Sequence, residues 1–219
     1  MTTALDHLVV AAATLDDGVA WCRRTLGVTP GPGGTHAIFG THNRLLKIAA
    51  PDWPQAYLEI IAIDPAAVVP MRSRWFGLDD PALQRRLIEQ GPQLVHAVAR
   101  STMLDMHRWG LIAIGCRPGD PVKASRETPS GRLSWQILVP EDGRPDCGGA
   151  LPTLIQWDGA HPTDAMPDSG VTLDSVILRG LPPRPAEVLR LRGVQLQPAT
   201  HGQAPVTVVV STPKGRVTV

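Results

Sequence analysis

The 219-residue chain has almost no excess charge of either sign, with 21 basic side chains against 20 acidic ones. Nothing in that balance neutralises phosphates or an anionic bilayer. The composition therefore argues against nucleic acid and membrane as partners and favours a small-molecule ligand of low charge. No apolar run approaches the ~18 uncharged residues of a membrane-crossing helix. The N-terminus has no basic stretch followed by an apolar one and a cleavage site, so the expected location is cytoplasmic. Cysteine is scarce too. Cys22, Cys116 and Cys147 are odd in number and far apart in sequence, unlike a disulfide framework or the close pairs of a zinc ribbon. They read as reduced thiols, and Cys147, in a Gly-rich loop, has only Arg144 nearby as an activating base. Also missing are a Gly-x-Ser-x-Gly elbow, a phosphate loop ending in Lys-Ser or Lys-Thr, and a dinucleotide fingerprint; the Gly31, Gly33, Gly34 cluster follows a helix and not a strand.

What is present is a repeated order of elements. Leu5 to Ala12 is a short, nearly continuous apolar run, and Thr14-Leu15-Asp16-Asp17 after it offers a helix cap and first-turn acids. Leu15, Val19, Cys22 and Leu26 recur at helical spacing until Gly27. Beyond the loop Pro30 to Gly34 come strand candidates at His36 to Phe39, Arg44 to Ile48 and Tyr57 to Ile63, the first two joined by a turn at Gly40-Thr41-His42-Asn43. The order is β-α-β-β-β. Strand alternation sets Glu59 on one face with Tyr57, Ile61 and Ile63, where a lone buried acid is costly. Glu59 must therefore reach water in a cavity, pair with a cation or bind a metal.

Asp80 to Gln90 reads as a connecting helix, after which the opening recurs. Leu94-Val95-His96-Ala97-Val98 and Met103-Leu104-Asp105-Met106 align without a gap on Leu5-Asp6-His7-Leu8-Val9 and Thr14-Leu15-Asp16-Asp17, so that His96 falls on His7. Strand candidates follow at Leu133 to Val139 and Leu151 to Trp157. A shorter third copy opens at Leu173-Asp174-Ser175, with a helix at Pro185 to Leu191 and a strand at Val206 to Val210. The expected architecture is one α+β domain over 1–219: modules at 4–65 and 93–158 forming a curved mixed sheet with helices outside, a connector at 66–92, and a shortened βαβ-type unit at 171–219.

The order of Leu5-Asp6-His7-Leu8-Val9-Val10 and Tyr57-Leu58-Glu59-Ile60-Ile61 resembles the glyoxalase, bleomycin-resistance and dioxygenase (vicinal-oxygen-chelate) superfamily. Gly40-Thr41-His42-Asn43-Arg44, Leu154-Ile155-Gln156-Trp157-Asp158 and His161-Pro162 resemble its glyoxalase-like subgroup, so the likeness covers about residues 4 to 215. It implies a cupped sheet and a divalent ion (Fe, Mn, Zn or Ni) held by His7, Glu59 and His96, with Thr153 near the place of a fourth, acidic ligand. From their places in loops between strands and past a strand end, His42 is expected with Glu59 as a proton-moving residue, and Asn43, Trp157 and His161 around the ligand, with His36 beside the turn. Two functions stand open: a metal-dependent lyase, isomerase or dioxygenase acting on vicinal oxygens, and a binding protein without turnover. A homodimer through exposed sheet edges is a third expectation. His107 and His201 are expected to face solvent.

Overall fold

The computed structural model describes residues 2–219; Met1, the first residue of the expected domain, lies outside them. The first module runs β1 (Ala4–Ala11), α1 (Leu15–Leu26), β2 (Thr35–His36), β3 (Thr41–Lys47) and β4 (Tyr57–Ile63). The Thr14 hydroxyl accepts the Asp17 amide hydrogen at 3.1 Å to open α1, and Gly27, at φ 77°, closes it. The helix lies tight on the sheet, since a Cβ at Gly18 would fall 2.3 Å from a methyl carbon of Ile60. After the connecting helix α2 (Pro81–Gln90), the second module repeats the order as β5 (Gln93–Arg100), α3 (Leu104–Ala113), β6 (Asp120–Thr128), β7 (Gly131–Val139) and β8 (Thr153–Asp158).

β1 pairs parallel with β4 and antiparallel with β5, which pairs parallel with β8. The resulting order β2-β3-β4-β1-β5-β8-β7-β6 maps onto itself when the modules are exchanged about the β1–β5 seam. The sheet is curled, because Asn43 of β3 and Arg126 of β6 line one cavity with β4, β1, β5, β8 and β7 between them. On the convex face Leu5, Leu8, Val10 and Ile60 pack with Leu15, Cys22 and Leu26 of α1. On the concave face Val9, Ala11, Ile61, Val98 and Ile137 meet Trp75, Phe76, Leu83 and Leu87 of the connecting segment, which fills one end of the cup.

Three expectations change. Thr41, His42 and Asn43 are not a turn: they belong to β3, paired with Ile63, Ala62 and Ile61, and the chain reverses earlier, at His36 to Gly40. Ladder pairing with the apolar β4 outweighs local turn preference. The second module gains β6, a strand absent from the sequence reading because a polar sheet edge carries little hydrophobic periodicity. Most of all, the third unit, shorter than the other two as expected, is more than a βαβ. It contains β9 (Thr172–Arg179), α4 (Pro183–Leu189), β10 (Gln195–Gln197), β11 (Val206–Thr212) and β12 (Gly215–Thr218), the same element order in a different pairing. Its sheet runs β10-β9-β11-β12, with β9 parallel to β10, and packs Val176, Leu178 and Val208 into the convex core. No helix among the described residues is long and apolar enough to cross a membrane.

Candidate functional site

Strict alternation would send Asp6 and His7 to opposite faces of β1. A bulge prevents this. Leu5 pairs with Ala99 and His7 with Val98, which leaves Asp6 unpaired, and Leu5 and Leu8 both enter the convex core. Asp6 and His7 therefore both point into the cup. Asp6 Oδ1 accepts from His7 Nδ1 at 2.7 Å, while Oδ2 accepts from Trp157 Nε1 at 3.0 Å and from His161 Nε2 at 3.1 Å. The donor role of His161 Nε2 follows from its other nitrogen, which accepts the Thr163 amide hydrogen at 3.3 Å.

On the other side of His7, Nε2 lies 3.5 Å from Glu59 Oε2. Glu59 Oε1 accepts from Asn43 Nδ2 at 2.6 Å, and Asn43 Oδ1 accepts the Gly34 amide hydrogen at 2.8 Å, so the amide nitrogen must face the carboxylate. The loop comes close enough to make that bond only because residue 33 is glycine: a Cβ there would sit 2.0 Å from the Asn43 carbonyl oxygen. His36 completes the row, with Nε2 3.4 Å from Asn43 Nδ2 and Nδ1 3.1 Å from Thr41 Oγ1. Tyr57 stacks on the His7 ring at 4.6 Å.

All of these groups are buried, yet their charges differ. Burial alone disfavours an imidazolium, but at His7 the hydrogen bonds to Asp6 and Glu59 outweigh it and push the pKa up to about 9. Burial also disfavours the two carboxylates. Hydrogen bonds from His161 and His7 nonetheless hold Asp6 well below the usual carboxylate range, and the His7 hydrogen bond lowers Glu59. His36 is pushed down to about 4 by burial and stays neutral. His7 is thus an imidazolium between two carboxylates at neutral pH, beside a water-sized inner cavity of about 30 Å³.

The second module repeats the geometry without the acids. β5 carries its own bulge: Val10 pairs with Leu94 and Val9 with His96, skipping Val95, which stands where Asp6 stands in the first module. Val9 faces Glu59 across β1 and β4, and the equivalent Val98 faces Thr153 across β5 and β8, so Thr153 occupies the place of Glu59. His96 Nε2 accepts the Thr153 amide hydrogen at 3.1 Å, and burial pushes the ring down to about 3.

Of the residues nominated from sequence, His7, Glu59, Asn43, Trp157 and His161 come together in one network. His161 stands behind Asp6 and not at a cavity mouth. His42 points to the other face of β3, with Nδ1 4.0 Å from Asp64, and lines a separate groove with Thr14 and Arg44. His96 is turned to Thr153, and among the described residues no trio of His, Cys, Asp or Glu ligand atoms within 4.8 Å of one another includes His7, Glu59 or His96. The trio that does meet this limit is Cys116, Asp146 and Cys147, brought together despite their separation in sequence. Burial raises both thiols, Cys147 to about 11, which keeps them protonated. His107, expected in solvent, is buried and bonded to Ser101 Oγ at 2.8 Å; His201 is exposed as expected. Asp6, Tyr57 and Arg126 were not nominated, while His36 was named only as a neighbour of the turn. Asp6 left a signal in the sequence, an acid inside an apolar strand, and Tyr57 shared the face of Glu59.

Two βαβββ modules sharing one cupped sheet, with polar groups gathered on its concave face, define a protein of the vicinal-oxygen-chelate superfamily. The chain belongs to the glyoxalase-like domain family, whose model matches residues 5–191. Among solved structures, a hypothetical protein from Staphylococcus aureus is 16% identical over 82% of this chain and 70% of its own, with a TM-score of 0.57. A Streptomyces coelicolor methylmalonyl-CoA epimerase variant in complex with 2-nitronate-propionyl-CoA is 20% identical, covering 74% of this chain and 99% of its own, with a TM-score of 0.45. Methylmalonyl-CoA epimerase from Mycobacterium tuberculosis is 21% identical over 74% of this chain and 91% of its own, with a TM-score of 0.40. No curated protein matches the chain.

Proposed function

We propose that the chain binds a small molecule in its cup and transfers a proton at it, with His7 as donor and Glu59 as acceptor. The observation that carries this reading is the clamping of one buried imidazolium between Asp6 and Glu59 beside a cavity. Buried charges are costly and persist where something uses them. Asp6 fixes the orientation of the ring, which leaves the Nε2 hydrogen to face the ligand. Asn43 orients Glu59 through its hydrogen bond, and Trp157 and Trp135 line the cavity. His42, on the far face of β3, serves the outer groove in this reading.

With the Nε2 proton of His7 released, Nε2 and Glu59 would suit a first-row divalent ion, because a ligating histidine usually gives its other ring hydrogen to a carboxylate, as His7 does to Asp6. When bound, such an ion supplies Lewis acidity toward vicinal oxygens of a ligand. His96 would need to leave Thr153 to join it. The second reading, sequestration without turnover, is favoured by the closed His96–Thr153 pair, which leaves the second module without an acid.

Titration with Mn(II), Fe(II), Zn(II) and Ni(II) tests the metal-dependent reading. Binding abolished by Glu59→Gln with the fold intact supports it. Binding absent, or untouched by the substitution, leaves proton transfer or sequestration by the metal-free triad.

A further inference from the structure

Arg126 lies on the inward row of β6, between Val122 and Ala124 on one side and Thr128 on the other, on a strand whose remaining side chains are exposed. A half-exposed guanidinium turned toward the cup is free to take a partner. Among the described residues it has none: no carboxylate lies within 4 Å, and the side chain makes no hydrogen bond. It crosses instead to the first module, where a Cβ at Gly34 would meet its Nη1 at 2.9 Å, and it lines the same inner cavity as His7, His36, Asn43 and Glu59. Its charge is felt there, since it opposes protonation of His36.

A charge count over that cavity identifies what is lacking. Asp6 is saturated by His7, Trp157 and His161 and lies behind the imidazole. The surface facing the cavity thus carries the His7 imidazolium, the Glu59 carboxylate, a neutral His36 and the Arg126 guanidinium. Asp6 and Glu59 together outweigh the His7 imidazolium they clamp, and among the described residues Arg126 is the one cation there without a carboxylate paired to it. The outer cup, about 680 Å³, adjoins the cavity through Trp135 and Trp157, whose ring centroids are 5.4 Å apart. It presents Lys123 and Arg132 against Asp158, so its bias is positive. The inner cavity admits one small group, and the body of a ligand fits only outside the tryptophan pair.

We infer that the ligand is a small oxyanion, a carboxylate in the first place, gripped by Arg126 with its neighbouring oxygen presented to His7 and Glu59. The planar guanidinium matches a carboxylate with two parallel hydrogen bonds, which a lysine there would not provide. The second module then contributes the specificity group to a site whose proton-handling residues come from the first. This inference rests on the reading that the cavity binds a small molecule, and it adds the class.

Tryptophan fluorescence of the full chain, titrated with pyruvate, inorganic phosphate and the neutral analogue hydroxyacetone, tests it. Pyruvate should bind saturably, Arg126→Gln should weaken it about ten- to hundredfold, and Arg126→Lys should fall between. Hydroxyacetone should bind equally to the unchanged protein and to Arg126→Gln. Phosphate binding more tightly than pyruvate and losing affinity in Arg126→Gln keeps the oxyanion site and assigns it to phosphate esters. Anion binding unchanged by Arg126→Gln overturns the inference. Binding of hydroxyacetone alone, lost in Glu59→Gln, also overturns it while the small-molecule reading stands. Silence of all three probes removes both. Unchanged melting temperatures of the Arg126 variants show that the loss is not one of folding.

Discussion

Asp6 accepts the Nδ1 hydrogen of His7 at 2.7 Å from the bulge of β1, and in the equivalent bulge of β5 the residue is Val95. Two exchanged side chains, Val95 for Asp6 and Thr153 for Glu59, therefore accompany one charged and one neutral copy of a duplicated histidine: His7 pushed up to about 9, His96 pushed down to about 3. Both rings are buried, so burial alone cannot separate them. The carboxylates do.

If that account is right, the charge can be moved. Val95→Asp should raise the His96 pKa well above its present value, because the half-buried side chain gains a carboxylate in the geometry that Asp6 has toward His7. A proton NMR titration of the His96 ring reads the shift. A His96 that stays neutral throughout the folded range would show that the bulge does not set its charge.

Removing the first-module acid should be costly in a different way. Asp6→Asn keeps the size but leaves His7 with one carboxylate and weakens the bonds from Trp157 and His161. Breaking a buried ionic arrangement costs about 3–5 kcal/mol. Denaturant unfolding should show a loss of that order, together with a His7 pKa below 9. Asp6→Ala, which also opens a void, should lose more.

Stability should peak near neutral pH. His7 is raised above its unfolded value near 6.5, so its contribution is complete below that value and lost as pH rises through about 9. His36 and His96 are lowered, so the neutral rings contribute above 6.5 and that contribution is lost as pH falls toward 4 and then 3. Asp6 and Glu59, both lowered, contribute fully above their unfolded values of 3.8 and 4.5 and lose that share as pH falls below them. Thermal melts between pH 4 and 9.5 should fall on both sides, and His7→Gln should remove the alkaline slope while keeping the acid one.

The loop that aims Asn43 offers a backbone test. Gly33→Ala would place a methyl group 2.0 Å from the Asn43 carbonyl oxygen, a contact that no side-chain rotation relieves. Overpacking of this kind costs about 1–3 kcal/mol. The Asn43–Glu59 bond should loosen with it, so the Glu59 pKa should rise toward the ordinary carboxylate value in the same variant.

Much of this protein was legible in its sequence. The capped helix after β1, the gapless repeat that sets His96 on His7, and the shared face of Tyr57, Glu59 and Ile61 all follow from local periodicity and cap chemistry, which act within a few residues. The resemblance to the superfamily placed Thr153 near the missing acid. Three relationships lay beyond it. Asp6 turns inward because a bulge breaks the two-residue period, and the bulge exists only in the pairing of β1 with β5. His42 turns outward because Thr41–Lys47 is a paired strand and not a turn, a matter decided by the β4 ladder. Arg126 reaches a cavity built by the other module because the sheet curls until β6 stands across from β3. Local sequence dictates which face a side chain shares with its near neighbours, while curvature and register, being properties of the whole sheet, decided which distant residues meet there.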